Sequence, residues 1–156
     1  MYKSKICMLR RLRSSMGKLR NEFFTDKDIL FMGYSSRNPQ FSNIVYKAFT
    51  DAGFRVYPVN TRQGGKHDIK VYNSLSELPK IPATAYVLMN NKNAREAVKQ
   101  LKDSGVKKIL FHIGKTADKA LLDECSAAGI TTAVACPMMI FGSGLHKLHA
   151  FFAGVR

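Results

Sequence analysis

Five short, nearly unbroken apolar runs separate stretches with helical periodicity. This alternation constrains the fold more than any other feature of the chain. "DILFMG" (28–33), "FRVYPVN" (54–60), "ATAYVLM" (83–89), "KKILFHIG" (107–114) and "ITTAVA" (130–135) each have the length and side-chain content of a strand. Runs that are apolar rather than alternating belong in a parallel sheet covered on both faces. Between them lie amphipathic helices. "FSNIVYKAFTDAG" (41–53) places Ile44, Val45, Ala48, Phe49 and Ala52 along one side, and "KNAREAVKQLKDSG" (92–105) does the same with Ala94, Ala97, Val98 and Leu101. "ADKALLDECSAAG" (117–129) is a third helix, and all three end in glycine. "GKLRNEFF" adds a short helix ahead of the first strand, with Leu19, Phe23 and Phe24 on one face. "SLSELP" (74–79) reads as a single turn, with Ser74 and Glu77 spaced as a capping box.

Repeated βα units of this length imply right-handed crossovers. The predicted class is therefore α/β: a Rossmann-like, doubly wound, mainly parallel five-stranded sheet, forming a single domain over 21–156 with a C-terminal helical tail. A chain of 156 residues is long enough to bury its own core. No apolar run approaches the length needed to cross a bilayer. Cys7, Cys125 and Cys136 are odd in number and lack metal-ligand spacing, which fits a reducing, cytoplasmic setting better than a disulfide framework.

The net charge of +14 is uneven: residues 1–20 hold seven basic residues and no acid, and so carry half of it. That leader, "MYKSKICMLRRLRSSMGKLR", fits a solvated extension, a transit peptide of mitochondrial type, or an arm for nucleic acid or anionic membrane. A true start at Met16 is a further reading. The body alone is moderately basic, which suits an anionic ligand.

Ligands of open parallel sheets bind beyond the carboxyl ends of the strands, at the switch point. Those ends carry Gly33, Tyr34, Ser35, Ser36, Arg37 and Ser42; Asn60, Arg62 and Lys66; Asn90 and Lys92; His112, Gly114 and Lys115; and Cys136. Basic and small polar residues recur among them, and no carboxylate does, so the site reads as built to hold an anion rather than to transfer protons. In the first loop Gly33 permits a sharp turn, Ser35 and Ser36 offer hydroxyls, and Arg37 can fork onto a phosphate. Ser42 is the expected N-cap of the following helix, leaving free N–H groups and the helix dipole to face the loop. One glycine stands where a dinucleotide loop has three, and no acid follows strand two, both of which count against NAD. Arg62 at that position leaves NADP open.

The segment "ILFMGYSSRNPQFSNIVYKAFTDAGFRVYPVN", followed by "VYNSLSELP", resembles the stand-alone CoA-binding domain family, related to the CoA-binding domain of the succinyl-CoA synthetase alpha subunit. The resemblance rests on Gly33, Ser35 and Ser42 in the first loop, Pro58-Val59-Asn60 ending strand two, Tyr72 to Pro79, Gly114, and Cys136 after the last strand; it covers roughly 19–140. It implies a Rossmann-like fold and binding of CoA or acyl-CoA, without ligase activity. Where the family has an arginine-containing segment after strand three, this chain has "MNNKN", with Lys92 as the substitute.

The leading expectation is thus a CoA-binding protein without catalysis of its own. An NADP-linked reductase or a nucleotide-dependent transferase subunit is the alternative, and nucleic-acid binding through the leader is a third. Cys125 is expected in the core. A thiol-bearing ligand could approach Cys136, although a buried structural role is expected more. His146 and His149 lack a third ligand for a metal. Leu145, Leu148, Phe151 and Phe152 form a stripe suited to covering the sheet or making a homodimer.

Overall fold

The structure, a computed structural model, describes residues 15–62 and 65–142. Residues 1–14 of the leader, and the stripe and histidine pair expected at 145–152, lie outside the described residues. The described chain runs α1 (15–23), β1 (Asp28–Met32), α2 (Pro39–Asp51), β2 (Arg55–Val59), a 3-10 turn (Leu75–Glu77), β3 (Thr84–Val87), α3 (Asn91–Asp103), β4 (Lys108–Phe111), α4 (Lys119–Ala127), β5 (Thr131–Val134) and α5 (Pro137–Phe141). All five strands are parallel, in the order β2-β1-β3-β4-β5. The chain winds outward from β1 to one edge, returns through β3, and continues to the other. The switch point therefore lies between β1 and β3.

The two-residue period of each strand divides the apolar side chains between two cores. Leu30 and Met32 of β1, Ala85 and Val87 of β3, and Ile109 and Phe111 of β4 face α3 and α4, against Ala94, Val98, Leu101, Leu121 and Cys125. The intervening Ile29, Phe31, Tyr86 and Leu110 face the other side, against Val45 and Phe49 of α2, Phe23 of α1 and Ile140 of α5. Burial on both faces explains why these strands lack polar alternation. β5 departs from that expectation: Thr131 and Val134 are exposed because β5 is an edge strand. Ile44, expected to face inward from α2, is also exposed.

Two cap assignments differ from the sequence reading. α2 starts at Pro39, not after Ser42: Asn38 is the N-cap, its side chain accepting the Phe41 N–H, with proline in the first turn. Ser42 lies inside the first turn and is buried. At 74–77 the reciprocal capping box does not form, because Ser74 pairs with the Ser76 hydroxyl while Glu77 accepts the Asn73 N–H.

Helix α1 draws residues 15–20 of the basic leader into the fold. Met16 and Leu19 pack on the second core, and Phe24 makes edge contacts with Phe54 and Phe141 at 5.4 and 5.1 Å. The Arg20 guanidinium lies 5.6 Å from the Phe141 ring centroid. Lys108, at the start of β4, donates to the carbonyls of Glu22 and Phe23 at 3.3 and 2.9 Å and to the Thr25 hydroxyl at 3.1 Å. A cation at the carboxyl end of a helix satisfies orphan carbonyls and complements the helix dipole. Lys108→Met is therefore expected to loosen α1 alone. Hydrogen exchange of amides 15–23 should accelerate by roughly tenfold, while the strand amides keep their protection.

Candidate functional site

At the switch point the first loop folds back onto the sheet and is held there by its own atoms. The N–H groups of Gly33 and Tyr34 both donate to the Val59 carbonyl, at 2.9 and 3.2 Å. The Ser35 N–H donates to the buried Ser42 hydroxyl at 3.0 Å, and the Ser35 hydroxyl accepts the N–H groups of Arg37 and Asn38 at 3.1 and 3.2 Å. The free N–H groups expected at the start of α2 are thus largely consumed. In this loop Ser36 and Gln40 keep theirs without an acceptor among the described residues. Gly33 has φ +92°, and a Cβ placed on it would stand 2.2 Å from the Leu88 carbonyl oxygen. The single glycine serves close packing of the loop on the end of β3, with no need for the three of a dinucleotide loop.

Beside this loop a cleft of about 390 Å3 opens between the carboxyl ends of β1, β2 and β3 and the side of α3. Met32, Val59, Leu88 and Met89 contribute apolar surface. Gly33, Ser35, Ser36 and Arg37 come from the first loop, Asn60, Thr61 and Arg62 from the second, and Asn90 caps α3 by accepting the Asn93 N–H at 2.9 Å. Asn60 likewise holds its loop, accepting the Arg62 N–H at 3.0 Å. Seven residues expected in the site are therefore brought together here: Gly33, Ser35, Ser36, Arg37, Asn60, Arg62 and Asn90.

The other expected site residues do not line the cleft. Tyr34 is buried against Phe31, Tyr46 and His67; burial, with Asp68 nearby, raises its phenol above the usual range. Ser42 acts from inside, through Ser35. Lys66 is exposed on the second loop, Lys92 on α3, and Gly114 and Lys115 beyond β4. Cys136 is buried at the N-terminus of α5, where burial pushes its thiol up against the opposing pull of the Met138 and Met139 N–H groups. Cys125 lies in the first core as expected.

His112 is half-buried, and its Nδ1 is hydrogen-bonded to the Tyr86 hydroxyl at 2.8 Å. Burial lowers its pKa, and burial also holds the Tyr86 phenol well above its usual value. The hydroxyl and the imidazole thus share one hydrogen bond in a setting where burial favours the neutral form of each. Among the described residues no three histidines, cysteines or carboxylates gather as a metal site.

Sequence reasoning missed the α3 wall of the cleft: Asn93, Glu96, Ala97 and Gln100. Glu96 is a carboxylate in a site read as having none, although its partner is Lys99 on its own helix at 3.0 Å. The electrostatic character of the cleft comes from its arginines. Arg55 and Arg95 pair with Asp28 and Asp118, and Arg20 lies over Phe141. Arg37 and Arg62 have no carboxylate or aromatic partner among the described residues.

This fold and cleft define a doubly wound, Rossmann-like α/β domain with an open cleft at its switch point. The family model "CoA binding domain" matches residues 27–142, and the chain belongs to that family. No curated protein sequence matches it. Among solved structures it is similar to Prb, the PH1109 protein redesigned for binding (22% identity, TM-score 0.67, covering 85% of this chain and 94% of that one). A hypothetical protein from Pyrococcus horikoshii OT3 gives 24% identity and a TM-score of 0.67, covering 89% of this chain and 92% of that one. Cell-free ID.343 from Thermus thermophilus gives 18% and 0.67, covering 86% and 97%. At these identities the likeness is one of fold.

Two expectations follow from this geometry. Gly33→Ala forces a side chain into the Leu88 carbonyl at a left-handed φ, and should cost about 3 kcal/mol, a fall in Tm of roughly 6–12 °C. The second concerns pH. A histidine with a folded pKa below its unfolded value binds fewer protons when folded, so its contribution is complete above the unfolded pKa and is lost as pH falls through that value toward the folded one. His112→Gln should therefore flatten the decline of Tm between about pH 7 and 5, measured by thermal scans.

Proposed function

We propose that this domain binds CoA, with the nucleotide half seated in the cleft and its phosphates met by Arg37 and Arg62. The observation that carries this reading is the pairing pattern of the arginines. The other described arginines have a partner, while the two at the cleft face it unpaired. An unpaired guanidinium on a loop awaits an anion, and a phosphate satisfies its planar fork. The Ser35, Ser36 and Thr61 hydroxyls supply further donors, and the apolar surface of Met32, Val59 and Leu88 suits the flat part of a nucleotide.

The role is that of a carrier without chemistry of its own. Among the described residues no histidine, cysteine or lysine lines the cleft, and the carboxylate that does, Glu96, is ion-paired. Lys66, Lys92 and Lys115, exposed around the same sheet edge, add a positive field that draws an anion toward the cleft. The position of Arg62 after β2 favours a second reading, NADP, because an arginine there accommodates the extra ribose phosphate.

The test is a thermal-shift series. A ligand at about 100 times its Kd that binds only the folded state stabilises it by ~2.7 kcal/mol, and each kcal/mol raises Tm by roughly 2–4 °C in a domain of this size. CoA should shift Tm by several degrees and NAD by little. Dephospho-CoA should shift it less than CoA. Arg37→Ala and Arg62→Ala should each weaken CoA roughly tenfold with Tm of the free protein unchanged. A larger shift with NADP than with CoA selects the second reading, and no shift with either overturns both.

A further inference from the structure

Helix α3 presents a polar wall to the cleft that the phosphate contacts leave unused. Asn93, Glu96 and Gln100 recur at i, i+3 and i+7, so they share one face over about 10 Å of helix, and all three line the cleft. The side-chain amides of Asn93 and Gln100 make no hydrogen bond among the described residues. Each amide is both donor and acceptor, whereas a carboxylate only accepts. Glu96 does not reach the unpaired arginines and pairs instead with Lys99, one turn along its own helix. Ala97, buried between them, keeps the wall low enough for a flat ring to lie against it.

The cleft is therefore bipolar. Its loop end is cationic, with Arg37 and Arg62; its helix end holds two amides and a carboxylate, with no cation among its described lining residues. The part of a ligand that fits the helix end is uncharged and flat, with an N–H donor at its edge. We infer that Glu96, flanked by Asn93 and Gln100, selects the nucleobase of the ligand by accepting a hydrogen bond from the exocyclic amino group of adenine. This rests on the cleft being a nucleotide site. Hypoxanthine carries a carbonyl oxygen in place of that amino group, which would set two acceptors against each other and leave both unpaired. Such a mismatch is what makes polar sites discriminate.

The experiment measures, by calorimetry, the affinity of the parent protein, Glu96→Gln and Glu96→Ala for adenosine bisphosphate and its inosine counterpart. The parent should prefer the adenine nucleotide by about tenfold or more. In Glu96→Gln the ratio should fall to within about twofold of unity, because the amide can turn its NH2 toward the carbonyl. Glu96→Ala should lose the preference by loss of the adenine affinity alone. Glu96 is exposed on the helix surface, and an unchanged Tm confirms that each variant folds. Equal affinities in the parent, or an unchanged ratio in the variants, overturn base selection while leaving CoA binding intact. A variant that weakens both nucleotides equally places Glu96 on the sugar and also overturns it. Binding of neither nucleotide by the parent removes the nucleotide reading itself.

Discussion

One carbonyl oxygen, that of Val59, receives the N–H groups of both Gly33 and Tyr34, and the cleft depends on that junction. It ties the end of β2 to the turn after β1. Gly33 in turn sits so close to the Leu88 carbonyl that any side chain there would collide with the end of β3. Three neighbouring strand ends are thereby fixed against one another around a residue with no side chain. The first loop then has one course open to it, with Ser35 and Asn38 fastening its outer turns. A glycine-rich loop leaves its backbone open to a ligand, whereas this one spends its donors on itself and offers side chains.

The distribution of charge follows the same logic. Asp28, buried at the amino end of β1, gathers Lys80, Arg55 and the Tyr57 hydroxyl, so these two cations are neutralised within the protein. At the carboxyl ends the cationic side chains of the loops are unopposed. The unpaired charge of Arg37 and Arg62 therefore stands where the switch point opens, and salt should weaken its field there more than at the paired sites.

The sheet was legible because burial on both faces leaves a signature in every central strand, as in the five buried residues of β1. The edge was less legible: β5 is half threonine, a residue common in strands at any place in a sheet, and nothing local marks it as outermost. The position of a residue after a strand fixes which edge of the sheet it occupies but not which side it leans toward. Gly114, Lys115 and Cys136 thus share an edge with the cleft without entering it. Tyr34 departs from strand alternation: by phase it would join the core of Leu30 and Met32, and the turn at Gly33 brings it into the core of Phe31 instead. Asn38-Pro39 carried a readable cap signal, a polar acceptor followed by proline at the first helical position, that was outweighed by Ser42. Asn93, Glu96 and Gln100 were unreadable for a different reason. A helix face bordering a cleft has the same composition as one bordering solvent, and only the tertiary placement of α3 separates the two.

The self-fastened loop also has a kinetic consequence. A loop whose amides are for the most part already satisfied has little left to order when a ligand arrives, so binding incurs a small conformational entropy cost and needs no slow closing step. Association should then be set by diffusion and by the field of the cleft arginines. Differences between ligands would appear almost wholly as differences in how long each one stays.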